Sequence, residues 1–313
     1  MDHNVDISIV IPILNEEESV DELCNRIIKV IGLLKLTYEV IFIDDVSNDK
    51  TMEKLQYINK HNDSIKIVQF SRRFGYQESI FAGLELASGK IIITMDSDLQ
   101  HPPEMIKDMV IKSQEGYEVI NMVRHNMYQR SLIPKLGSRL FYKLINLISP
   151  TPVVADSADF RLYSRKVVDT LLKLPERSLF LRGLIGWVGF KQLNLPFDEQ
   201  KRVSGRSKFK FLTSVRLFVD GIISFSTSPL YFAIYIGMII MTLGFLYGLW
   251  VITNVFVNAN YSPAGWPTII CLILFIGGII MLLLGVIGLY ISKLFIEVKS
   301  RPRYIVDRKI GFK

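Results

Sequence analysis

The chain has two cysteines in 313 residues, Cys24 and Cys271, far apart in segments of different character. That scarcity suggests neither a disulfide framework nor a cysteine-based zinc site. It has no GxGxxG and no GxxxxGKS/T, so neither dinucleotide nor P-loop nucleotide binding is supported. The start is acidic and reaches an apolar strand only at Ile7, so no signal peptide is expected. Charge is missing altogether from one region. Between Gly221 and Ser292 there is no Asp, Glu, Lys or Arg.

What is present is apolar and unevenly spread. Half the residues are hydrophobic, and the mean hydropathy of +0.30 is high for a soluble enzyme. Leu230 to about Val257 and Thr268 to Ile291 each exceed the ~20 apolar residues that span a bilayer. The net charge is +7, and the basic residues cluster beside those runs. Residues 201–216 hold six Lys/Arg and no acid; residues 293–313 hold seven against two acids. Basic clusters next to an apolar segment favour the anionic face of a membrane, and no nucleic-acid partner is expected. The positive-inside rule puts both termini and the whole region ahead of the two runs in the cytoplasm. The expected location is the inner or plasma membrane, multi-pass.

Ahead of the runs, apolar strands alternate with helices. Ile7–Pro12, Tyr38–Ile43, Ile65–Phe70, Ile91–Met95 and residues 117–122 read as strands, with helices between them. This pattern predicts an α/β fold with a mostly parallel sheet. Glu16, Glu17 and Glu18 are placed in the first turn of the first helix. Gly189–Pro196 reads as a further strand.

Three of the strands end on charge. Asp44-Asp45 closes the second, Arg72-Arg73 follows the third, and Asp96-Ser97-Asp98 closes the fourth. Open α/β sheets bind ligands at the carboxyl ends of their strands, and residues two apart on a strand share a side. Carboxylates there suit Mg²⁺ or Mn²⁺ with phosphate oxygens as further ligands. The pattern points to a nucleotide diphosphate with a metal. Asp45 or Ser47 could instead cap the helix that follows. Lys201–Lys208 is a basic, glycine-containing loop, either a phosphate clamp or a solvated charge run. Residues 134–149 and 209–226 read as amphipathic helices, lying on the membrane or on a core.

IPILNEEESV, FIDDVSNDKT, FSRRFGYQESIFAGLELASG, MDSDLQHPPE, ADFRLYSRKVVD and RVSGRSKF occur in that order, followed by two spans. Together they resemble the family 2 glycosyltransferases. Within that family the resemblance is to the polyisoprenyl-phosphate enzymes: bactoprenol glucosyltransferases and dolichol-phosphate mannose synthases. It implies a GT-A catalytic domain over 1–208, a juxtamembrane helix, a transmembrane hairpin over 228–297 and a basic tail over 298–313. It implies inverting transfer from a UDP-sugar, glucose first among the candidates, to undecaprenyl phosphate. N-acetylglucosamine, mannose or aminoarabinose donors are alternatives.

By resemblance, Pro12, Leu14, Glu16, Asp44 and Asp45 contact the nucleotide, with Asp96 and Ser97 near it. Asp98 with Gln100 serves Mg²⁺ or Mn²⁺, and Asp96 stands beside them as a second candidate metal ligand. Arg124 lies near the diphosphate or sugar, and Arg202, Ser207 and Lys208 close over the phosphates. Asp159 matches the position proposed as base. A homotetramer is implied as well. Leu14 replaces a common aromatic, and Val46 replaces the usual glycine, from which the loop is expected to avoid positive φ. A processive synthase would carry QxxRW and more spans. A non-catalytic scaffold would have lost the acid pairs or the basic loop.

Overall fold

The computed structural model describes residues 5–125, 157–176, 181–200, 228–257 and 265–312. The expected amphipathic helices at 134–149 and 209–226, and Arg202, Ser207 and Lys208, lie outside these. An eight-stranded sheet organises the described residues. Its strands are β1 (Ile7–Ile13), β2 (Tyr38–Asp44), β3 (Ile65–Phe70), β4 (Ile91–Thr94), β5 (Val119–Arg124), β6 (Ser157–Ser164), β7 (Gln192–Phe197) and β8 (Val306–Ile310). Their order is β7-β5-β6-β4-β1-β2-β3-β8. β1 to β4 run parallel, β6 is antiparallel to β4 and β5, and β8 is antiparallel to β3. This is the mostly parallel, Rossmann-like architecture of a GT-A domain.

The helices are α1 (Val20–Leu34), α2 (Thr51–His61), α3 (Tyr76–Leu86), α4 (Ile106–Gln114), α5 (Arg165–Leu172), α6 (Leu181–Trp187), α7 (Ser228–Val257) and α8 (Trp266–Lys299). β1 is buried along its whole length, as a strand covered on both faces should be. Ile7, Ile9, Ile11 and Ile13 pack with α1 residues such as Leu23 and Ile27; Val10 packs on the other face with Ile80 and Leu84 of α3. Cys24 sits in the first of these cores, where burial and then Asp21 push its thiol up to about 12. It is a packing residue.

α3 lies so close to β1 that a Cβ on Gly83 would collide with Val10 Cγ1. Gly83→Ala is therefore expected to destabilise the protein by about 1–3 kcal/mol through overpacking. Adding Val10→Ala should restore part of the loss, as read by thermal melting. Additive losses in the double variant would show that the two residues do not compete for that space.

The chain moves from β1 outward through β2 and β3, then returns to β4 on the other side of β1. That reversal opens a crevice at the carboxyl ends of β1 and β4. Val10 C=O accepts from Met95 N–H, so even-numbered residues of β1 face β4. The β1–β4 pairing ends at Val10 and Thr94. Pro12 therefore forfeits no ladder bond, and β1 runs on past its neighbour to form the crevice wall.

Three expectations are corrected, and one strand was not foreseen. α1 starts at Val20, so Glu16 to Glu18 precede it, and its first-turn acids are Asp21 and Glu22. The strand expected at 189–196 is Gln192–Phe197. Residues 157–164 form an antiparallel strand wedged between β4 and β5, which the alternation of elements did not show. The segment expected as a tail beyond the catalytic domain returns to it. Between the end of α8 and β8 lie only residues 300–305, and β8 then completes the sheet edge on β3. Tyr304 stacks on Phe70 at 5.2 Å and donates to Glu85, while Arg303 lies over Phe81 and donates to the carbonyls of Leu174 and Glu176.

Among the described residues, α7 and α8 contain two stretches long and apolar enough to cross a membrane, Leu230–Trp250 and Phe275–Lys299, by length and composition. Their apolar side chains are largely exposed.

Candidate active site

Three strand ends build the crevice, and each turns through a non-glycine residue in the left-handed region. These are Asn15 (φ 56) after β1, Val46 (φ 64) after β2 and Leu99 (φ 61) after β4. The value at Val46 overturns the expectation that this loop avoids positive φ. A β-branched residue there is strained by about 1–3 kcal/mol. The strain is held by bonds on both sides of it: Asp45 N–H donates to Ile13 C=O, and Ser47 N–H donates to Asp44 Oδ1.

The loops after β1 and β2 are laced together. Asn15 N–H donates to Ser47 Oγ at 2.9 Å, and Asn48 N–H to Asn15 Oδ1 at 2.7 Å. Glu16 N–H donates to Thr51 Oγ1, and Lys50 N–H to Glu17 Oε2. Leu14 is half-buried at the head of this lattice. Neither Asp45 nor Ser47 caps α2, contrary to one sequence alternative. Asp49 takes the Thr51 N–H, and Asp45 reaches the other way. Its carboxylate accepts from Phe74 N–H at 2.7 Å and Gly75 N–H at 3.1 Å, fixing the turn after β3. Asp44 is fully buried and accepts from Gln69 Nε2 at 3.1 Å. Glu78 of α3 lies inside the same corner. Burial, and then the negative charge of Asp45, push its carboxyl up, and Arg303 opposes them.

β4 delivers the acid pair. Asp98 is 6% exposed and its Oδ1 accepts from Gln100 N–H at 3.1 Å, a turn that folds the loop back under itself. Asp96 is more open; its carboxylate accepts from the Tyr76 hydroxyl. Its backbone N–H donates to Nδ1 of the buried His101 at 3.0 Å. Ser97 is buried between the two acids.

β6 supplies the neighbouring wall. Thr94 pairs with Arg161, and Thr94 Oγ1 donates to Asp159 C=O at 2.8 Å. Continuing that register by two residues puts Asp159 opposite Asp96. Asp159, Arg161 and Tyr163 share one face of β6. Arg161 is 2% exposed, a cation buried in the sheet two residues along β6 from Asp159. Burial pushes the Tyr163 hydroxyl up, while Arg161 and Thr94 pull it down.

On β5, Arg124 does not face the crevice alone. Its Nε donates to Glu199 at 2.8 Å. Gln200 N–H donates to Gln100 C=O at 3.2 Å, which ties residue 200 to the acid-pair loop. Arg26 of α1 grips Glu104 through two bonds, of 3.0 and 2.7 Å, and Gln200 through a third.

Residues 8–172 match Glycosyl transferase family 2. An uncharacterized glycosyltransferase, YkcC, of Bacillus subtilis is 37% identical over 311 residues, covering 99% of this chain and 96% of that one. The chain belongs to glycosyl transferase family 2. This family 2 glycosyltransferase is also 36% identical over 302 residues to the bactoprenol glucosyl transferase of Shigella phage SfII, covering 96% and 97% of the two chains. Among solved structures, glucosyl-3-phosphoglycerate synthase from Mycobacterium tuberculosis with Mn²⁺, UDP-glucose and phosphoglyceric acid aligns with TM-score 0.46 and 18% identity, over 70% of this chain and 79% of that one.

Among the described residues, no three His, Cys, Asp or Glu side chains gather into a metal cage. A Mg²⁺-type ion shared with substrate phosphates needs only one or two carboxylates. Asp98 and Asp96 at the mouth of the crevice fit that requirement. The sequence reading named Asp44, Asp45, Asp96, Ser97, Asp98, Gln100 and Asp159; the structure puts Asp44 and Asp45 at the end of β2, Asp96 to Gln100 just after β4, and Asp159 on β6 beside the β4 end. It did not find Tyr76, Glu78, His101, Arg161 or Glu199. Tyr76 and Glu78 stand in a quoted motif, and His101 is in the acid-pair loop. Residue type and spacing offered no sign that they face the acids.

Proposed function

We propose that this family 2 glycosyltransferase moves a sugar, glucose in the first instance, from a UDP-sugar to a polyprenyl phosphate, with inversion at the anomeric carbon. The observation that carries the reading is the junction after α8. A helix long enough to cross a bilayer runs through six residues into the sheet that bears the acid pair, which suits an acceptor whose phosphate lies at the headgroups. The bactoprenol glucosyl transferase relative matches through both apolar helices. The Lys/Arg excess flanking the helices favours a cytoplasmic active site.

In the reaction the anomeric C–O bond to the diphosphate breaks and its electron pair leaves with UDP. An acceptor phosphate oxygen forms the new bond from the opposite face. A phosphate monoester has a second pKa of ~6 and is already ionised at neutral pH, so no strong base is required. Asp159, with Arg161 behind it, orients the acceptor or takes a residual proton. Asp44 and Asp45 hold the nucleotide end of the crevice. Arg202, Ser207 and Lys208 close on the phosphates. When bound at Asp98 and Asp96, Mg²⁺ or Mn²⁺ supplies positive charge against the departing diphosphate.

The test is a donor screen. Purified chain in detergent, undecaprenyl phosphate and Mn²⁺ or Mg²⁺ are mixed with separate UDP- and GDP-sugars, and the lipid fraction is assayed. Lipid-linked glucose from UDP-glucose is expected. Product from another donor alone would replace the sugar. Nucleotide binding without lipid product from any donor would overturn the reading.

A further inference from the structure

His101 is fully buried two residues beyond Leu99, yet nothing in the reaction above uses it. Its ring is clamped. Phe160 of β6 stacks on it at 5.2 Å and 14°, and Phe197 at the end of β7 meets it edge-on at 5.8 Å. Phe160 adjoins Asp159, and Phe197 stands three residues before Gln200. The ring thus joins the acid-pair loop, the strand carrying Asp159 and the root of the 201–208 segment.

Its tautomer follows from its bonding. Nδ1 accepts the Asp96 N–H at 3.0 Å, so in the neutral ring the proton sits on Nε2. Nε2 is buried and has no hydrogen-bond partner among the described residues. It lies 3.4 Å from Asp96 Oδ2, too long for a well-made bond and within a small carboxylate rotation of one. Asp96 meanwhile accepts from Tyr76 on its other oxygen, Oδ1. A buried donor aimed at a carboxylate that belongs to the crevice is a feature a packing histidine does not need.

We propose that His101 is a positioning residue for the divalent cation: its Nε2–H orients the Asp96 carboxylate, and its Nδ1 holds the backbone from which Asp98 departs. The inference rests on the metal reading under the proposed function. Partners of this kind typically change metal affinity by 10–100-fold when removed.

The experiment is Mn²⁺ titration by electron paramagnetic resonance, with and without UDP, on the full-length protein in detergent. Melting temperature is measured alongside. His101→Phe keeps the aromatic clamp and loses both nitrogens, and about 10-fold weaker Mn²⁺ binding is expected with the fold retained. His101→Gln, which keeps a donor near Nε2, should recover most of that loss. His101→Asn, with an acceptor near Nδ1 only, should recover less.

Wild-type Mn²⁺ affinity in a folded His101→Phe protein would overturn the proposal. So would equal weakening in the Gln and Asn variants, which decide the matter if the Phe variant does not fold. Absence of Mn²⁺ binding by the unaltered protein would instead remove the metal reading itself, and this inference with it.

Discussion

Asp98→Asn is expected to lower kcat for sugar transfer by about 10²–10³-fold, the scale on which loss of one preorganised electrostatic contact to a transition state is felt. Asparagine has the same shape and keeps the oxygen that accepts from Gln100 N–H, so the turn through Leu99 persists. What is lost is one negative charge at a position 6% exposed, the charge that would anchor a cation against the leaving diphosphate. The melting temperature should move little, because asparagine is isosteric and keeps the Asp98 turn oxygen. Mn²⁺ affinity should fall with kcat. Activity within threefold of the unaltered enzyme would remove Asp98 from the metal site. Asp159→Asn is a useful contrast. An ionised acceptor phosphate predicts a smaller loss there, so the order of the two effects separates charge stabilisation from base catalysis.

The largest expected effect on stability lies at the opposite end of the sheet. Glu39 is 1% exposed on β2. Its carboxylate accepts from Ser8 Oγ, Ser88 N–H, Ser88 Oγ and Lys66 Nζ, the last at 2.6 Å. Glu39→Ala leaves those donors facing a small void and is expected to cost about 3 kcal/mol. That is the lower end for breaking a buried pair, since Lys66 can swing partly into water.

The same group sets an acid limit. Burial pushes the Glu39 carboxyl up, but the bonds from Lys66, Ser8 and Ser88 outweigh it and hold the group below its ordinary value. Its contribution is therefore complete above the unfolded value of about 4.3 and is lost as pH falls through the lower folded value. Melting curves from pH 7 to pH 3.5 should show the unaltered protein losing stability below about pH 4.3, and Glu39→Gln losing less over that interval. Parallel curves would mean that other carboxylates govern acid unfolding.

The local features of the active-site edge were readable in the sequence because each lies within a few residues. An apolar run ending on Asp96 and Asp98 announces a buried strand and the acids at its carboxyl end. Repeated alternation of strands and helices announces a parallel sheet, and 72 consecutive residues without Asp, Glu, Lys or Arg, Gly221 to Ser292, announce the two long apolar helices. Those readings need only side-chain period, length and solvation, which neighbouring residues carry among themselves.

Tertiary structure decided what depends on residues far apart in the chain. β6 is polar at Asp159 and Arg161 and is assigned no element from sequence; β4 and β5, which flank it, make it a strand. Residues 306–310 become a strand only because β3 offers an unpaired edge. Val46 accepts a left-handed backbone because bonds from Asp45 and Ser47 to β1 and β2 hold it there. His101 meets Asp96 because Phe160 and Phe197, some 60 and 96 residues away, leave its ring one orientation. Sequence set the chemistry available at each strand end; the pairing of strands, whose energy comes from partners distant along the chain, chose which of those groups face one another.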